Sequence, residues 1–452
     1  MERKNKLLKT AISNFVKAQP PNRMLVGLAD TQEWFKEHGI VYPTRWTAEG
    51  HAIGFRKDGY EAIISLVDEL IKEHSEYSRA TSFDRLTAAI ADELIESILH
   101  GEVSDNYLHV TDKIAKWIAS ETIQKKHYIP CTITPYDSTP FNVGPVIFRP
   151  LNNFKSIKIT GEKDELERFS YGKLFEFATE EKANWIAEVQ IEGYDHSRSS
   201  ELADVSVDLA LSVLQIIIPS SISREISRVT ARTVPALSGS YVEVDNYLRC
   251  GFTRQDPCLS YSAEYFNDLI RRNRAILDSV GLRVHAYLTN ESALPRLEQA
   301  WCDAAYWFHE GISERLDTIA ITKMETAMEV LLCSESTKSS KDGLYRAVKV
   351  IYGLDKNEQI SSSDSRTVKQ FIEGIVESRS RILHGTWSTL THRPKTRNEH
   401  QYRQEVEYIA RDLLAQFTMK LDDYVKIEGA DDHSRKFLEW ILTQNENESV
   451  SS

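Results

Sequence analysis

Arg379 and His384 lie five residues apart, and these two residue types at this spacing fit the chemistry of a metal-free ribonuclease. Such an enzyme attacks the scissile phosphate with the ribose 2′-OH, which requires a general base, a general acid and a cation for the charge on the phosphate oxygens. Histidine takes either proton role near neutral pH, and arginine holds a phosphate through two parallel hydrogen bonds. One pair supplies a single titrating group, so two copies that face each other would supply both the acid and the base.

The spacing alone does not identify a site, because two other segments match the same Arg-x4–6-His pattern. Arg45 and His51 form one match, and Arg393 and His400 form the other. Both lie in segments with proline or glycine, which predict loops without a helix to orient the side chains. The position of His384 in its predicted element therefore matters more than its distance from an arginine.

His384 is predicted at the end of a helix, because Gly385 follows it and glycine commonly ends helices. Arg379 lies about 140° around an ideal helix from His384, while Arg381, at a spacing of three, shares the face of His384. We expect Arg379 and His384 to reach a cleft over the helix end, with Ser380 and Arg381 as further RNA contacts.

The helix that carries this pair is the fourth of five predicted after residue 291. They have apolar residues at helical spacing and short polar connections, which is typical of a small helical bundle. The run Ser361–Asp364 is expected to cap the fourth helix at its N-terminus. The predicted helices are Leu294–Ile312, Asp317–Ser334, Gly343–Tyr352, Ser365–Leu383 and Tyr402–Val425.

The chain before this bundle predicts helices first and a mixed architecture afterwards. In the first part, Phe83–Leu99 has a helical apolar pattern and Gly101 as its stop. Strands are expected in the second part at Phe154–Gly161, Trp185–Tyr194 and Tyr241–Tyr261, where β-prone residues alternate or cluster.

These patterns divide the chain into four expected parts. The expected fold class is an α+β N-terminal region followed by an all-α helical bundle, predominantly helical overall. The parts are a helical N-terminal region at 1–126, an α+β domain at 127–290, the helical bundle at 291–427 and an acidic and polar tail at 428–452.

The composition is that of a globular protein with a net acidic charge. The formal net charge of −12 disfavours a nucleic-acid partner, but residues 428–452 hold six acids against two bases. A basic cluster lies near the candidate pair, so charge neither supports nor excludes RNA. Its members are Arg379, Arg381, Arg393, Lys395, Arg397 and Arg403.

Cysteine usage and hydropathy indicate the compartment. The five cysteines are scattered and never form a C-x-x-C pair, which argues for a reducing environment and against a structural zinc site. We find neither a signal-peptide pattern, nor an apolar run long enough to span a membrane, nor a nucleotide-binding glycine motif. A cytoplasmic protein without metal, cofactor or membrane partner is therefore expected.

Residues 291–427 resemble the HEPN superfamily, and most closely its Apea-like branch. The resemblance is carried by a first helix with AYWFHEGIS, a second with ITKMETAMEVLLCSE that includes Glu329, and a fourth that ends in RSRILHG. It implies a metal-independent endoribonuclease that acts as a homodimer through this domain, with Arg379 and His384 as the motif pair. The residue after the motif arginine is often Asn, Asp or His in the superfamily, whereas here it is Ser380, which cannot titrate.

The resemblance also implies a biological role. Proteins of this kind often defend against bacteriophage by abortive infection, so tRNA or mRNA is the expected substrate and a phage-derived trigger is an expected partner. Residues 1–290 have the general look of the region that precedes Apea-like HEPN domains. A sensor or regulatory role is expected for them from architecture alone.

A second hypothesis is a non-catalytic HEPN bundle that serves dimerisation or binding in a regulatory or toxin–antitoxin complex. Arg379 would then be a structural arginine, paired with Glu373, Glu377 or another carboxylate. His384 would be a cation favoured by the negative end of the helix dipole.

Three further residues of the bundle have alternatives. Glu325 and Glu329 lie one turn apart, as a paired carboxylate site requires, but we expect one to be solvated and the other to support a buried arginine or a helix cap. His309 is expected at the surface or at an interface.

Overall fold

The computed structural model describes residues 1–19, 28–104, 106–159, 165–218, 223–231, 237–254, 259–361, 364–385 and 397–451. They are predominantly helical, as the sequence predicts, with small sheets between the helices. The chain divides into two compact units, Met1–Lys125 with Ile191–Glu201, and Lys126–Gln190 with Leu202–Ser452. Among the described helices, none has both the length and the apolar character needed to cross a membrane.

The first unit packs helices around an apolar core beside a three-stranded antiparallel sheet of order β1-β3-β2. Its core includes Ile63, Leu66 and Ile90, all buried at helical spacing. The elements are α1 (Glu2–Ser13), β1 (Phe15–Ala18), α2 (Leu28–Glu37), β2 (Tyr42–Trp46), β3 (Ala52–Phe55), α3 (Lys57–Glu73), α4 (Ser75–Ala80), α5 (Phe83–His100) and α6 (Tyr107–Glu121).

Helix α5 begins and ends where its sequence indicates. Ser82 caps it by accepting a hydrogen bond from the backbone N–H of Arg85. Gly101 ends it at a φ of 72°, a left-handed conformation that glycine adopts without strain, and this confirms the predicted stop.

The second unit opens with a five-stranded sheet of order β5-β6-β7-β4-β8. The predicted strand at Trp185–Tyr194 corresponds to β7, in which six of the seven residues from Trp185 to Ile191 are buried. It is a central strand and not the half-buried strand that its alternation predicts. The elements of this part of the chain are β4 (Lys125–Thr132), β5 (Phe141–Val143), β6 (Val146–Pro150), α7 (Leu151–Ile159), α8 (Glu165–Glu180), β7 (Trp185–Ile191), α9 (His196–Ile217), β8 (Ser227–Arg228), β9 (Leu237–Val244) and β10 (Tyr247–Arg254).

The predicted strand at Phe154–Gly161 is wrong for its described part, because residues 154–159 belong to helix α7. Residues 160 and 161 lie outside the described residues. Leu151, Phe154 and Lys158 are the less exposed residues of this segment, a spacing of three and four that suits a helix. Phe154 is fully buried against Tyr128 and Phe175. The β-prone stretch at Tyr241–Tyr261 is confirmed in its first part by the antiparallel β9–β10 hairpin.

A close backbone contact joins the sheet to the helices that follow. A Cβ atom at Gly144, in the β5–β6 turn, would lie 2.3 Å from the carbonyl oxygen of Gly281. A Cβ atom at Gly281 would in turn lie 2.4 Å from the backbone nitrogen of Gly144. Only glycine at both positions leaves room for this approach.

The C-terminal helices confirm the five predicted ones and add more. The C-terminal bundle, as we use the term, consists of the helices from Pro295 onward. The elements are α10 (Ala263–Arg272), α11 (Arg274–Thr289), α12 (Pro295–Ser313), α13 (Asp317–Leu331), α14 (Thr337–Tyr352), β11 (Gln359–Ser361), β12 (Asp364–Thr367), α15 (Val368–Leu383), α16 (Arg397–Tyr424) and α17 (Ser434–Ser451).

One sequence-based expectation for this part, the cap of the fourth predicted helix, differs from the structure. Helix α15 is capped by Thr367 and Gln370 in a capping box, and not by the run Ser361–Asp364, of which Asp364 lies in strand β12. The expected polar tail contains α17, whose Phe437 and Ile441 are buried, because apolar residues at helical spacing face the bundle. Residues on both sides of the expected boundary at 290–291 belong to the second unit.

Candidate functional site

The C-terminal end of α15 presents the candidate histidine to solvent. His384 is the C-cap residue of α15, and its backbone N–H donates to the carbonyl oxygen of Ser380 at 2.9 Å. Gly385 follows with a φ of 69° and turns the chain away. The side chain of His384 is exposed. The sequence prediction that this histidine lies at the helix end is confirmed.

Arg379 lies in the same helix but is held from a neighbouring one. Its guanidinium forms an ion pair with Glu329 of α13, which is mostly buried. The Arg379 side chain keeps 30% of its surface exposed, so the guanidinium is not enclosed. Arg379 therefore lies at the edge of the bundle, fixed on one side and open on the other.

Glu325 lies one turn before Glu329 and is fully buried. By geometry, neither of its carboxylate oxygens accepts a hydrogen bond from a described residue. Burial, and next the charge of Glu329, raise the pKa of Glu325 to about 8, against the opposing effect of Arg379. Glu325 is therefore mostly neutral at pH 7, and the pair of carboxylates carries about one negative charge for Arg379.

This geometry decides between the expectations for the two glutamates. Glu329 supports an arginine, as expected, although that arginine is partly exposed. The expectation that the other one is solvated is wrong, because Glu325 points into the bundle.

Ser380 and Arg381, the residues between the candidate pair, are both exposed. Arg381 lies 3.4 Å from Glu377 on the same helix, a weak surface ion pair that leaves the guanidinium accessible. Both side chains are therefore placed where a ligand over the end of α15 would meet them.

One member of the basic cluster near the pair, Arg403, is not accessible to a ligand. Arg403 is buried and donates to Asp317 and to the carbonyl oxygens of Ile312 and Glu314, so it closes the end of α12 and is not an RNA contact. Arg393 and Lys395 lie outside the described residues, as do the side chains of Arg397 and His400. In the other spacing match, Arg45 and His51 do not share an element of the first unit. Arg45 lies in β2 and pairs with Asp92, whereas His51 lies after β2.

His309 is the clearest correction to the sequence analysis, because it is fully buried and not at the surface. Its Nδ1 lies 2.8 Å from the side-chain oxygen of Gln215, and its Nε2 lies 3.5 Å from Asp208. Asp208 also accepts two hydrogen bonds from Arg228, at 2.8 and 2.7 Å. Strand β8 and helices α9 and α12 are thus joined by buried polar contacts.

The Asp208 cluster, which we define as Asp208, Gln215, Arg228 and His309, was missed by the sequence analysis. Burial by itself would raise the pKa of Asp208, but hydrogen bonds from His309 and Arg228 lower it to about 2. Asp208, a carboxylate within the mainly apolar run from Val207 to Ile217, was the signal that could have found it. The cluster is buried, so it stabilises the unit and does not meet a substrate.

Within the described parts of the chain, no three His, Cys, Asp or Glu side chains come together as metal ligands would. The residues at the end of α15 provide one exposed imidazole and one anchored guanidinium, and these can exchange protons with a ligand and hold a phosphate. No family model, curated protein or solved structure matches this chain.

Proposed function

We propose that the chain is a metal-independent endoribonuclease of the HEPN type, with Arg379 and His384 as its catalytic residues. The observation that carries the proposal is an exposed histidine at the end of α15, beside an arginine that Glu329 holds at the bundle edge. The resemblance of residues 291–427 to the HEPN superfamily agrees with it. Defence against bacteriophage, with residues 1–290 as the part that restrains the enzyme, is the expected biological role.

The reaction needs two proton transfers and one phosphate contact. A base takes the proton from the 2′-OH, whose oxygen bonds to phosphorus as the bond from phosphorus to the 5′-oxygen breaks. An acid returns a proton to the leaving 5′-oxygen, so the products are a 2′,3′-cyclic phosphate and a 5′-hydroxyl. Arg379 binds the non-bridging oxygens and stabilises the charge of the transition state.

One His384 cannot be base and acid at once, so we propose that the active unit is a homodimer. The end of α15 from each subunit would face the other across one RNA strand. His384 of one copy takes the 2′-proton, and His384 of the other copy protonates the leaving oxygen.

The anchored arginine favours a second candidate function, a non-catalytic binding module. Glu329 holds Arg379 between α13 and α15, which is what a structural arginine does. Under this alternative Arg379 stabilises the bundle, His384 has no chemical role, and RNA is not cut.

The test is RNA cleavage in EDTA by purified wild type, His384→Ala and Arg379→Lys. We expect the wild type to cut tRNA or mRNA to 2′,3′-cyclic phosphate ends, and His384→Ala to be at least about 100-fold slower, the usual contribution of a general acid or base. Arg379→Lys keeps the charge near Glu329 but loses the bidentate geometry, so it should also slow cleavage.

His100→Ala is the matched control, because His100 is also an exposed histidine at a helix end that precedes a left-handed glycine. It should cut as the wild type does. Cleavage that survives His384→Ala would exclude the proposed site, and a wild type that cuts neither RNA would favour the binding module.

Mixing subunits tests whether the site is shared between two copies. After wild type and His384→Ala are mixed in equal amounts and re-equilibrated, about one dimer in four holds two wild-type chains. If both histidines are needed, the mixture has about a quarter of the activity of the same total amount of wild type. A mixture with about half of the activity of the same total amount of wild type would instead show that each subunit cuts by itself.

A further inference from the structure

A cavity of about 580 Å³ on the C-terminal bundle is lined by four lysines, in a chain whose net charge is −12. It lies between the first turns of α14, the loop after α14 and the first turn of α15. We call it the lysine groove, and its basic residues are Lys338, Lys341, Lys356 and Lys369.

Local structure brings these lysines together. Lys338 and Lys341 lie three residues apart and therefore share a face of α14. The backbone N–H of Lys369 donates to the carbonyl oxygen of Lys356 at 2.9 Å, and that of Val368 donates to Glu358 at 2.9 Å. These bonds fix the loop against the start of α15, so the groove is part of the folded bundle.

The groove has more positive charge than its own acids neutralise. Its lining holds four ammonium groups against the carboxylates of Asp342 and Glu373. Lys356 lies 3.8 Å from Asp342 and 4.1 Å from the ring centre of Tyr345.

The other three lysines of the groove differ from most lysines of the bundle. Among the described residues, Lys338, Lys341 and Lys369 have no ion pair, whereas Lys323 and Lys349 of the same bundle have carboxylate partners. A cluster of positive charges with few acids beside it produces a local positive potential, and such a potential attracts an anionic ligand.

We propose that the lysine groove binds the phosphate backbone of a single-stranded RNA substrate, away from the bond that is cut. This inference rests on the proposed function, because the RNA that the groove would hold is the RNA that His384 would cut. Lys369 of the groove and His384 lie on the same helix. Fifteen residues separate them, which is about 22 Å along α15. Lysine contacts phosphate as a point charge and reads no base, so the groove positions RNA without selecting its sequence.

This distance sets a minimum substrate length. If the strand keeps its bases stacked at about 3.4 Å per nucleotide, about six nucleotides span the path from His384 to the groove. RNA that reaches the groove is therefore bound more tightly than a fragment of about four nucleotides that does not.

The test measures RNA binding in the absence of cleavage. Binding of a fluorescent single-stranded RNA of about 30 nucleotides is followed at about 50 and about 200 mM NaCl, in a His384→Ala background that cannot cut it. The triple variant Lys338→Gln, Lys341→Gln and Lys369→Gln should bind at least about tenfold more weakly at the lower salt, and the slope of log K against log salt should fall by about 2.

The control variant makes the same change of charge elsewhere on the bundle. Lys420→Gln, Lys426→Gln and Lys436→Gln also remove three positive charges, but none of these residues lines the groove. Its affinity for RNA should lie within about threefold of that of the parent, the His384→Ala protein without lysine substitutions. Urea unfolding of both variants verifies that they fold as the parent does. Equal losses of binding in the two triple variants would overturn the proposal.

Competition distinguishes RNA from free phosphate compounds. Tripolyphosphate should displace RNA from the parent only weakly, because it fills the groove without the rest of the strand. If the triple variant loses tripolyphosphate binding and keeps RNA binding, the groove is a site for small polyphosphates and the proposal is wrong.

Two further outcomes distinguish this proposal from the proposed function. If the groove binds RNA but the wild type cuts none, RNA binding by the groove is supported and the nuclease function is excluded. If the wild type cuts RNA through His384 and the triple variant binds RNA as the parent does, the nuclease function is supported and RNA binding by the groove is excluded.

Discussion

Replacing Asp208 with alanine should lower the free energy of unfolding of the second unit by about 3–5 kcal/mol. The substitution removes a buried carboxylate that accepts two hydrogen bonds from Arg228 and lies beside His309. Arg228 is mostly buried, and burial without Asp208 leaves its charge poorly solvated. Urea unfolding followed by tryptophan fluorescence measures the loss.

Asp204 provides the control, because it contacts the same arginine from an exposed position. Its carboxylate lies 2.8 Å from Arg228, but 45% of its side chain is exposed. Solvent screens such a pair, so Asp204→Ala should cost less than about 1 kcal/mol. Equal losses for the two aspartates would show that burial does not control the strength of this contact.

A double substitution separates the cost of a buried arginine that keeps only its partly exposed partner Asp204 from the value of the Asp208–Arg228 pair. Asp208→Leu together with Arg228→Met removes both charges and replaces them with apolar side chains of similar size. Because the penalty of taking two ions out of water is then absent, the double variant should be clearly more stable than Asp208→Ala. A double variant that is less stable than Asp208→Ala would show that the polar contacts contribute more than their desolvation costs.

The bundle helices could be predicted because their signals are local. Apolar spacing identified α12 to α16, and Gly385 placed His384 at a helix end. The strand predicted at Phe154–Gly161 is wrong because a short alternating run suits a strand or a helix, and only the packing of Phe154 distinguishes the two. The cap of α15 was misplaced because several Ser, Thr and Asp residues compete within a few positions.

The contacts of the candidate site depend on how helices are rotated against one another, and no spacing within one helix reveals that. Glu329 and Arg379 are fifty residues apart, and only the packing of α13 on α15 makes them partners. Glu373 and Glu377 are the partners of Arg379 that the sequence suggests by name, beside any other carboxylate, because they are near in the chain. His309 looked like a surface residue because its partners, Asp208 and Gln215, lie about a hundred residues away.

Glu325 makes the stability of the second unit depend on pH. Its pKa is about 8 in the folded protein, whereas glutamate in an unfolded chain ionises near 4.5. Between these values the folded protein binds the extra proton, so its stability falls as the pH rises. The shift corresponds to a loss on the order of 4 kcal/mol between about pH 4.5 and pH 8, the larger share of it desolvation.

Glu325→Gln keeps the shape of the side chain and removes the titration. The variant should match the wild type near pH 4.5 and be more stable above it, by on the order of 4 kcal/mol at about pH 8.5. Urea unfolding over this pH range gives the difference. Glu377→Gln, on an exposed residue of α15, should leave the pH dependence unchanged. A wild type whose stability is flat from pH 5 to pH 8 would show that Glu325 is solvated in solution.

Ionisation of Glu325 should also change RNA binding, because Arg379 lies beside the two glutamates. While Glu325 is neutral, Glu329 alone neutralises Arg379, and the guanidinium remains able to bind a phosphate from its exposed side. Once Glu325 ionises, a second carboxylate competes with the substrate for the same cation. We therefore expect KM for RNA to rise above about pH 8 in the wild type but not in Glu325→Gln. In both proteins kcat should still depend on His384, so a kcat profile that changes instead of KM would place Glu325 in the proton transfers themselves.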